Sequence, residues 1–205
     1  MQLKGIPALL LTAVFAVGQV SAAITGFDFS APPLTEEDVE GVVIPASSGT
    51  SGLTVTASGR LVGGSAAQNA NTRAIRTDWG LGVRNGNVAN DRDPLANRFH
   101  VDGKDGAEFL RLEFSDKVKI TEVFFAWVGA FEKFDLMVDG VDVDVVAVFG
   151  TDVIEDLAPP GAAPGTVLLP DTLPFGKTWD FYAPGMGDAW NIERVEVIPE
   201  PSTLV

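Results

Sequence analysis

The chain has 205 residues, with 28 acidic and 14 basic side chains, one His, no Cys and a net charge of −14. Without Cys there is no disulfide framework, no thiolate nucleophile and no Cys-ligated metal, and one His leaves one imidazole for acid–base work. The acid excess argues against nucleic acid or an anionic membrane surface as the partner, and a hydrophobic content of 46% argues against disorder in a chain long enough for one main domain.

Residues 1–22 read as a secretory signal peptide. Lys4 is the basic n-region, Ile6–Val17 is an apolar run of 12 residues, and Ser21, Ala22 and Ala23 are the small residues that a signal peptidase requires. The run is too short to span a bilayer, which takes about 20 residues. Cleavage after Ala22 or Ala23 removes Lys4 alone among the charged residues, leaving a net charge of −15 on the exported part. Export of a Cys-free chain through an oxidising compartment leaves packing or bound ions to hold the fold together.

The remainder alternates apolar and polar residues in short runs between turn residues, the pattern of antiparallel sheet. Thr35–Asp38 predicts a short helix, with Thr35 as its cap and acids in its first turn. Weaker strands are expected at 24–29, 53–57, 80–84 and 178–182, with a loop over Gly63–Thr72. Glu108–Phe114 places Leu110, Leu112 and Phe114 on one face and Arg111 and Glu113 on the other. Ser115-Asp116 then predicts a turn into a second strand, Val118–Trp127, whose apolar residues on both faces near Phe124 and Phe125 suit a central position. Asp139-Gly140 between the alternating runs Phe134–Val138 and Val141–Val145 predicts a tight hairpin. Ala158–Pro174, rich in Pro and Gly, reads as a long surface loop or an edge crossing. Trp190–Ile198 reads as a last strand whose apolar parity changes between Ile192 and Val195, a sign of a bulge or a twist. Residues 23–198 are thus expected to form an all-β, antiparallel sandwich of jelly-roll-like type with about eight to ten strands.

After that last strand come Pro199, Glu200 and Pro201, followed by Ser202 and Thr203. With the signal peptide and the β-rich body, this ending resembles that of PEP-CTERM proteins, which exosortase-type machinery sorts in Gram-negative bacteria. The segments 79–83, 108–114, 134–140 and 190–197 are similar to segments of such proteins. The resemblance implies export through the Sec pathway to the cell surface or the exopolysaccharide matrix, and no particular reaction. Family members continue through a membrane helix of about 20 residues to an Arg-rich tail. Here residues 199–205 are read as the remnant of that signal, with the helix and basic tail either beyond Val205 or absent.

The densest polar stretch runs from Asn85 to Glu108. Hard cations take six to eight oxygen ligands, so Asp91, Asp93, Asp102 and Asp105 are the candidate calcium ligands; their spacing does not match an EF-hand, and a solvated turn-rich loop is the favoured reading. Asp142 and Asp144 would lie about 7 Å apart on one strand face, within reach of carboxylate-pair hydrolysis, though the wet face of a sheet is the plainer explanation. His100 lacks a nucleophile elbow and reads as a surface or turn residue. Trp79, Trp127, Trp179 and Trp190 read as core. Trp179 with Tyr182 is the candidate ligand-stacking pair.

No catalytic constellation is expected. The leading reading is a non-enzymatic structural or adhesive protein of the cell surface or matrix. The alternatives are a secreted carbohydrate-binding module that uses structural calcium and binds extracellular polysaccharide, and a secreted carboxylate-dependent hydrolase.

Overall fold

A long strand at the centre organises the molecule. In the computed structural model the described residues are 23–30, 36–49, 52–87, 99–103, 107–126, 128, 131–149, 151–154, 157 and 165–201. Residues 1–22, read above as a signal peptide, and Thr35, Trp127, Asp91, Asp93 and Asp105 lie outside them. The strands are β1 (Thr25–Asp28), β2 (Glu37–Asp38), β3 (Val43–Pro45), β4 (Thr54–Leu61), β5 (Thr72–Thr77), β6 (Gly80–Asn85), β7 (Val101–Asp102), β8 (Glu108–Ala126), β9 (Asp135–Val138), β10 (Val141–Val143), β11 (Thr166–Leu168), β12 (Gly176–Tyr182) and β13 (Ala189–Pro199). Two short helices, α1 (Ala66–Ala70) and α2 (Val145–Phe149), interrupt them. The fold is all-β and sandwich-like, with every strand pair antiparallel.

β8 has 19 residues and no turn at Ser115-Asp116. Its first half pairs with β4 and β12, and its second half with β13 and β11. Residues 115–117 are exposed where the neighbours change. The polar dipeptide therefore marks the crossing of one strand from one set of partners to the next. Leu110, Leu112 and Phe114 point into the core as expected, and so do Val118, Ile120, Val123 and Phe125.

The pairings also lead back on themselves. From β8 they pass through β13, β6 and β5 to β2, and in the other direction from β8 to β4. The two arms meet at residues 37–41. Val39 N–H donates to Ala74 O (3.0 Å), Gly41 N–H donates to Ala57 O (2.9 Å), and Glu40 forms a parallel bridge with Ala57. Here the expected helix at 35–38 gives way to β2, because pairing with Arg76 and Ile75 of β5 outweighs a local capping signal.

Other elements agree with the sequence or refine it. Asp139 and Gly140 take φ of 49° and 77° in the β9–β10 hairpin, a left-handed turn suited to Asp-Gly. The second hairpin strand ends at Val143, since Asp144 Oδ1 accepts from Ala147 N–H (2.8 Å) and caps α2. Asp142 and Asp144 thus belong to different elements, not to one strand face. The 63–72 loop holds α1, closed by a Ser65/Gln68 capping box, and 158–174 contains the edge strand β11. β13 shifts register between Ile192 and Arg194, at the parity change.

One core runs through these layers. Trp179, Trp190, Phe27, Phe29, Phe125, Phe134 and Phe181 are fully buried within it. Phe125 packs edge-on against Trp190 at 5.0 Å and tilted against Phe134 at 5.1 Å. The strands outnumber the eight to ten expected because two- and three-residue edge strands carry no sequence signal of their own. Among the described residues, no helix is long and apolar enough to cross a membrane.

Candidate functional site

Polar side chains converge at the end of the sheet where β13 begins. Strands β7, β8, β9, β10 and β12 and the segments 131–134, 151–154 and 185–188 bring them there. β7 pairs with Ala189 and Trp190, Tyr182 of β12 lies opposite Asp135 of β9, and Lys133 bridges Val153. The resulting group is Asp102, Glu108, Glu132, Lys133, Asp135, Asp142, Asp152, Tyr182 and Asp188.

Three of these carboxylates, Glu108, Glu132 and Asp188, serve the backbone. Asp188 is buried; its Oδ1 accepts from Lys133 N–H (3.0 Å) and its Oδ2 from Gly185 N–H (2.6 Å), tying the 185–188 turn to the 131–134 segment. Glu132 Oε2 accepts from Ala189 N–H (2.6 Å). Lys133 Nζ pairs with Asp152 Oδ2 at 3.0 Å. Tyr182 donates its hydroxyl to Asp142 Oδ1 (3.2 Å). A carboxylate that accepts a buried or edge N–H satisfies a donor that would otherwise cost about 1–3 kcal/mol. At this end Glu108, Glu132 and Asp188 fasten backbone segments to one another.

The electrostatics follow from one cation among several anions. Burial raises the Glu132 carboxyl, opposed by the Ala189 N–H and reinforced by Asp188. Burial also raises Asp135, helped by Asp142, Asp152 and Asp188, and Lys133 offsets part of this. The Tyr182 phenol is pushed up first by burial, then by Asp135 and Asp142. These groups therefore favour their neutral forms more than they do in water.

The sequence candidates map onto this end unevenly. Trp179 is fully buried, with Nε1–H donating to Gly176 O (3.2 Å), so its ring lies in the core and not beside Tyr182 at a surface. Tyr182 is half-buried at the acidic end. Asp102 is half-buried, and its N–H donates to Oε2 of the fully buried Glu108 (3.3 Å). Among the described residues, no group of three or more His, Asp or Glu is placed to hold a metal ion. Pro199 closes β13 opposite Val118, and Glu200 N–H donates to Lys117 O (2.9 Å) with Glu200 and Pro201 exposed.

His100 is not a surface residue. It is 3% exposed, its Nδ1 lies 2.5 Å from Asn191 Oδ1, and its ring stacks on Trp79 at 6.0 Å. Asn191 Nδ2–H in turn donates to Phe99 O (2.9 Å). The partner is 91 residues away, so no local pattern announces it.

Glu40 was also beyond sequence reasoning. Its Oε2 accepts from Gly59 N–H (2.8 Å) and Ala74 N–H (3.0 Å), and its Oε1 pairs with Arg60 at 2.5 Å. Gly59 is required there, since a Cβ would stand 2.7 Å from the Arg73 carbonyl carbon. A Glu flanked by β-type residues was the only available signal, and it is too common to single out.

No family model, no curated protein and no solved structure matches this chain.

Proposed function

We propose that the chain is an exported, non-enzymatic β-sandwich protein with a structural or adhesive role at the cell surface or in the exopolysaccharide matrix. The observation that carries this reading is the C-terminal exit. β13 pairs with β8 up to Pro199↔Val118, and the exposed Glu200 and Pro201 follow at once. A sorting tripeptide must be presented to its enzyme, and a firmly paired strand presents it at a fixed place. β1 pairs alongside the same end of β13, with Thr25 opposite Val197, so the start of the exported part lies beside the tripeptide. The use of carboxylates such as Glu40, Glu132 and Asp188 as backbone acceptors gives further support, because it assigns these acids a structural role that needs no reaction.

The test is mass spectrometry of the surface and secreted fractions of a Gram-negative host with exosortase-type machinery. A mature N-terminus at Ala23 or Ile24 is expected. Full-length protein starting at Met1 and confined to the cytoplasm would overturn the reading.

A second reading is a carbohydrate-binding module with structural calcium, for which Asp102 is the candidate ligand among the described residues, next to the buried Glu108 carboxylate that accepts its backbone N–H. It predicts a melting temperature that drops when a chelator is added. An unchanged melting temperature removes the calcium, and an empty glycan array removes the sugar.

A further inference from the structure

Half-buried Phe side chains on the outer surface share one treatment. Arg111 lies over Phe109 (5.6 Å to the centroid), Arg194 over Phe124 (5.8 Å) and Lys119 over Phe175 (4.9 Å). A chain with only 14 basic residues places three of them on such rings. Each cation covers apolar surface and interacts with the ring quadrupole.

Phe131 is the exception. It is 77% exposed, and no cation covers it among the described residues. Its φ of 71° puts a bulky residue in the left-handed region, which is costly for a side chain of that size. The neighbouring residues hold it there. Glu132 O accepts from Ile154 N–H (2.9 Å), Glu132 Oε2 from Ala189 N–H (2.6 Å), and Lys133 N–H reaches Asp188 (3.0 Å). Met186, 81% exposed, stands on the 185–188 turn that Asp188 ties to this segment. An aromatic ring and a thioether are thus displayed on braced backbone, next to the end of the sheet that carries Glu132, Asp135, Asp142, Asp152 and Asp188 against the single cation Lys133 among the described residues of that group.

We propose that Phe131 and Met186, with the carboxylates around them, form a docking surface for an arginine-bearing peptide segment of a partner protein. A guanidinium would stack on the Phe131 ring as Arg111 stacks on Phe109, and the net negative charge of this end would draw it in. Met186 adapts to irregular apolar surface beside the ring. The surface lies at the start of β13, about 35 Å along the strand from the Pro-Glu-Pro exit by the usual rise per residue. The inference goes beyond the proposed function and does not depend on export, since purified protein suffices to test it.

The probe is a fluorescent ten-residue peptide of alternating arginine and glycine, titrated at 0.15 M salt, with the citrulline analogue as the uncharged control. Saturable binding of the arginine peptide alone is expected. Phe131→Ala and Phe131→Leu should each weaken it about five-fold, while Phe131→Trp retains it and Phe175→Ala leaves it unchanged. No saturable binding, or equal binding by wild type and Phe131→Leu, would overturn the proposal; the second result would mean attraction to net charge alone. Amide exchange in the 131–134 segment identifies any variant that has lost its local fold, and Phe131→Trp then decides alone: binding lost in a folded Trp variant also overturns it.

Discussion

The Glu40 seam and the acidic end use the same chemistry with opposite balance. At the seam, one carboxylate at 12% side-chain exposure bridges two backbone N–H groups on separate strands, and Arg60 neutralises it. At the end of β13, Glu132 and Asp188 likewise accept backbone N–H groups, yet Lys133 pairs with Asp152, while burial and like charges raise Glu132 and Asp135. The seam is saturated internally. The end retains a surplus of negative charge, which lowers its stability and leaves it able to gain from an added cation. Both show how a Cys-free chain fastens strand ends and loops: with oxygen acceptors placed on donors that the ladder leaves over.

The comparison can be broken most forcefully at the seam. Glu40→Ala leaves two N–H donors and Arg60 without their acceptor, and should cost about 3 kcal/mol by urea unfolding. Gly59→Ala attacks the same contact sterically and should cost about 2 kcal/mol, because the Arg73 backbone cannot retreat as a flexible side chain would. At the other end, Asp188→Ala frees Gly185 and Lys133 N–H and should cost about 2 kcal/mol, with faster amide exchange confined to 131–134 and 185–189.

The smallest effect sharpens the difference in charge balance. Asp135 has its folded pKa raised above the ordinary carboxylate value. In the interval between the unfolded and folded values the folded chain binds protons that the unfolded chain does not, so stability rises as pH falls through that interval. The penalty is fully present above it. Asp135→Asn should therefore stabilise the protein at neutral pH by a few tenths of a kcal/mol, about what a solvent-screened site allows. The gain should shrink as pH approaches the ordinary carboxylate range. A variant gain that grows on acidification would reverse the sign.

What was legible in the sequence was local. The Asp139-Gly140 hairpin, the inward face of Glu108–Phe114 and the bulge near Ile192 each depend on neighbouring residues, and each stands in the structure. Ser115-Asp116 misled because a polar pair in a strand looks the same whether the chain turns or changes partners. His100 was misjudged and Glu40 missed because their surroundings come from residues far along the chain: Asn191 for His100, and Gly59 and Ala74 for Glu40; Trp179 lies in the core, as its reading as a core residue expects, which separates it from Tyr182 as a stacking pair. The candidate site was legible only as acidic composition. The assembly of Glu132, Asp135, Asp142, Asp152 and Asp188 at one end needed the strand order.

The central claim, that acidic side chains act as internal fasteners, is tested most directly by amide hydrogen exchange of Gly59 and Ala74 in wild type and Glu40→Ala. Both amides belong to separate strands and share one carboxylate oxygen. The account predicts strong protection of both in wild type and its loss at both in the variant, ahead of residues deeper in β8. Unchanged protection at either amide would contradict it.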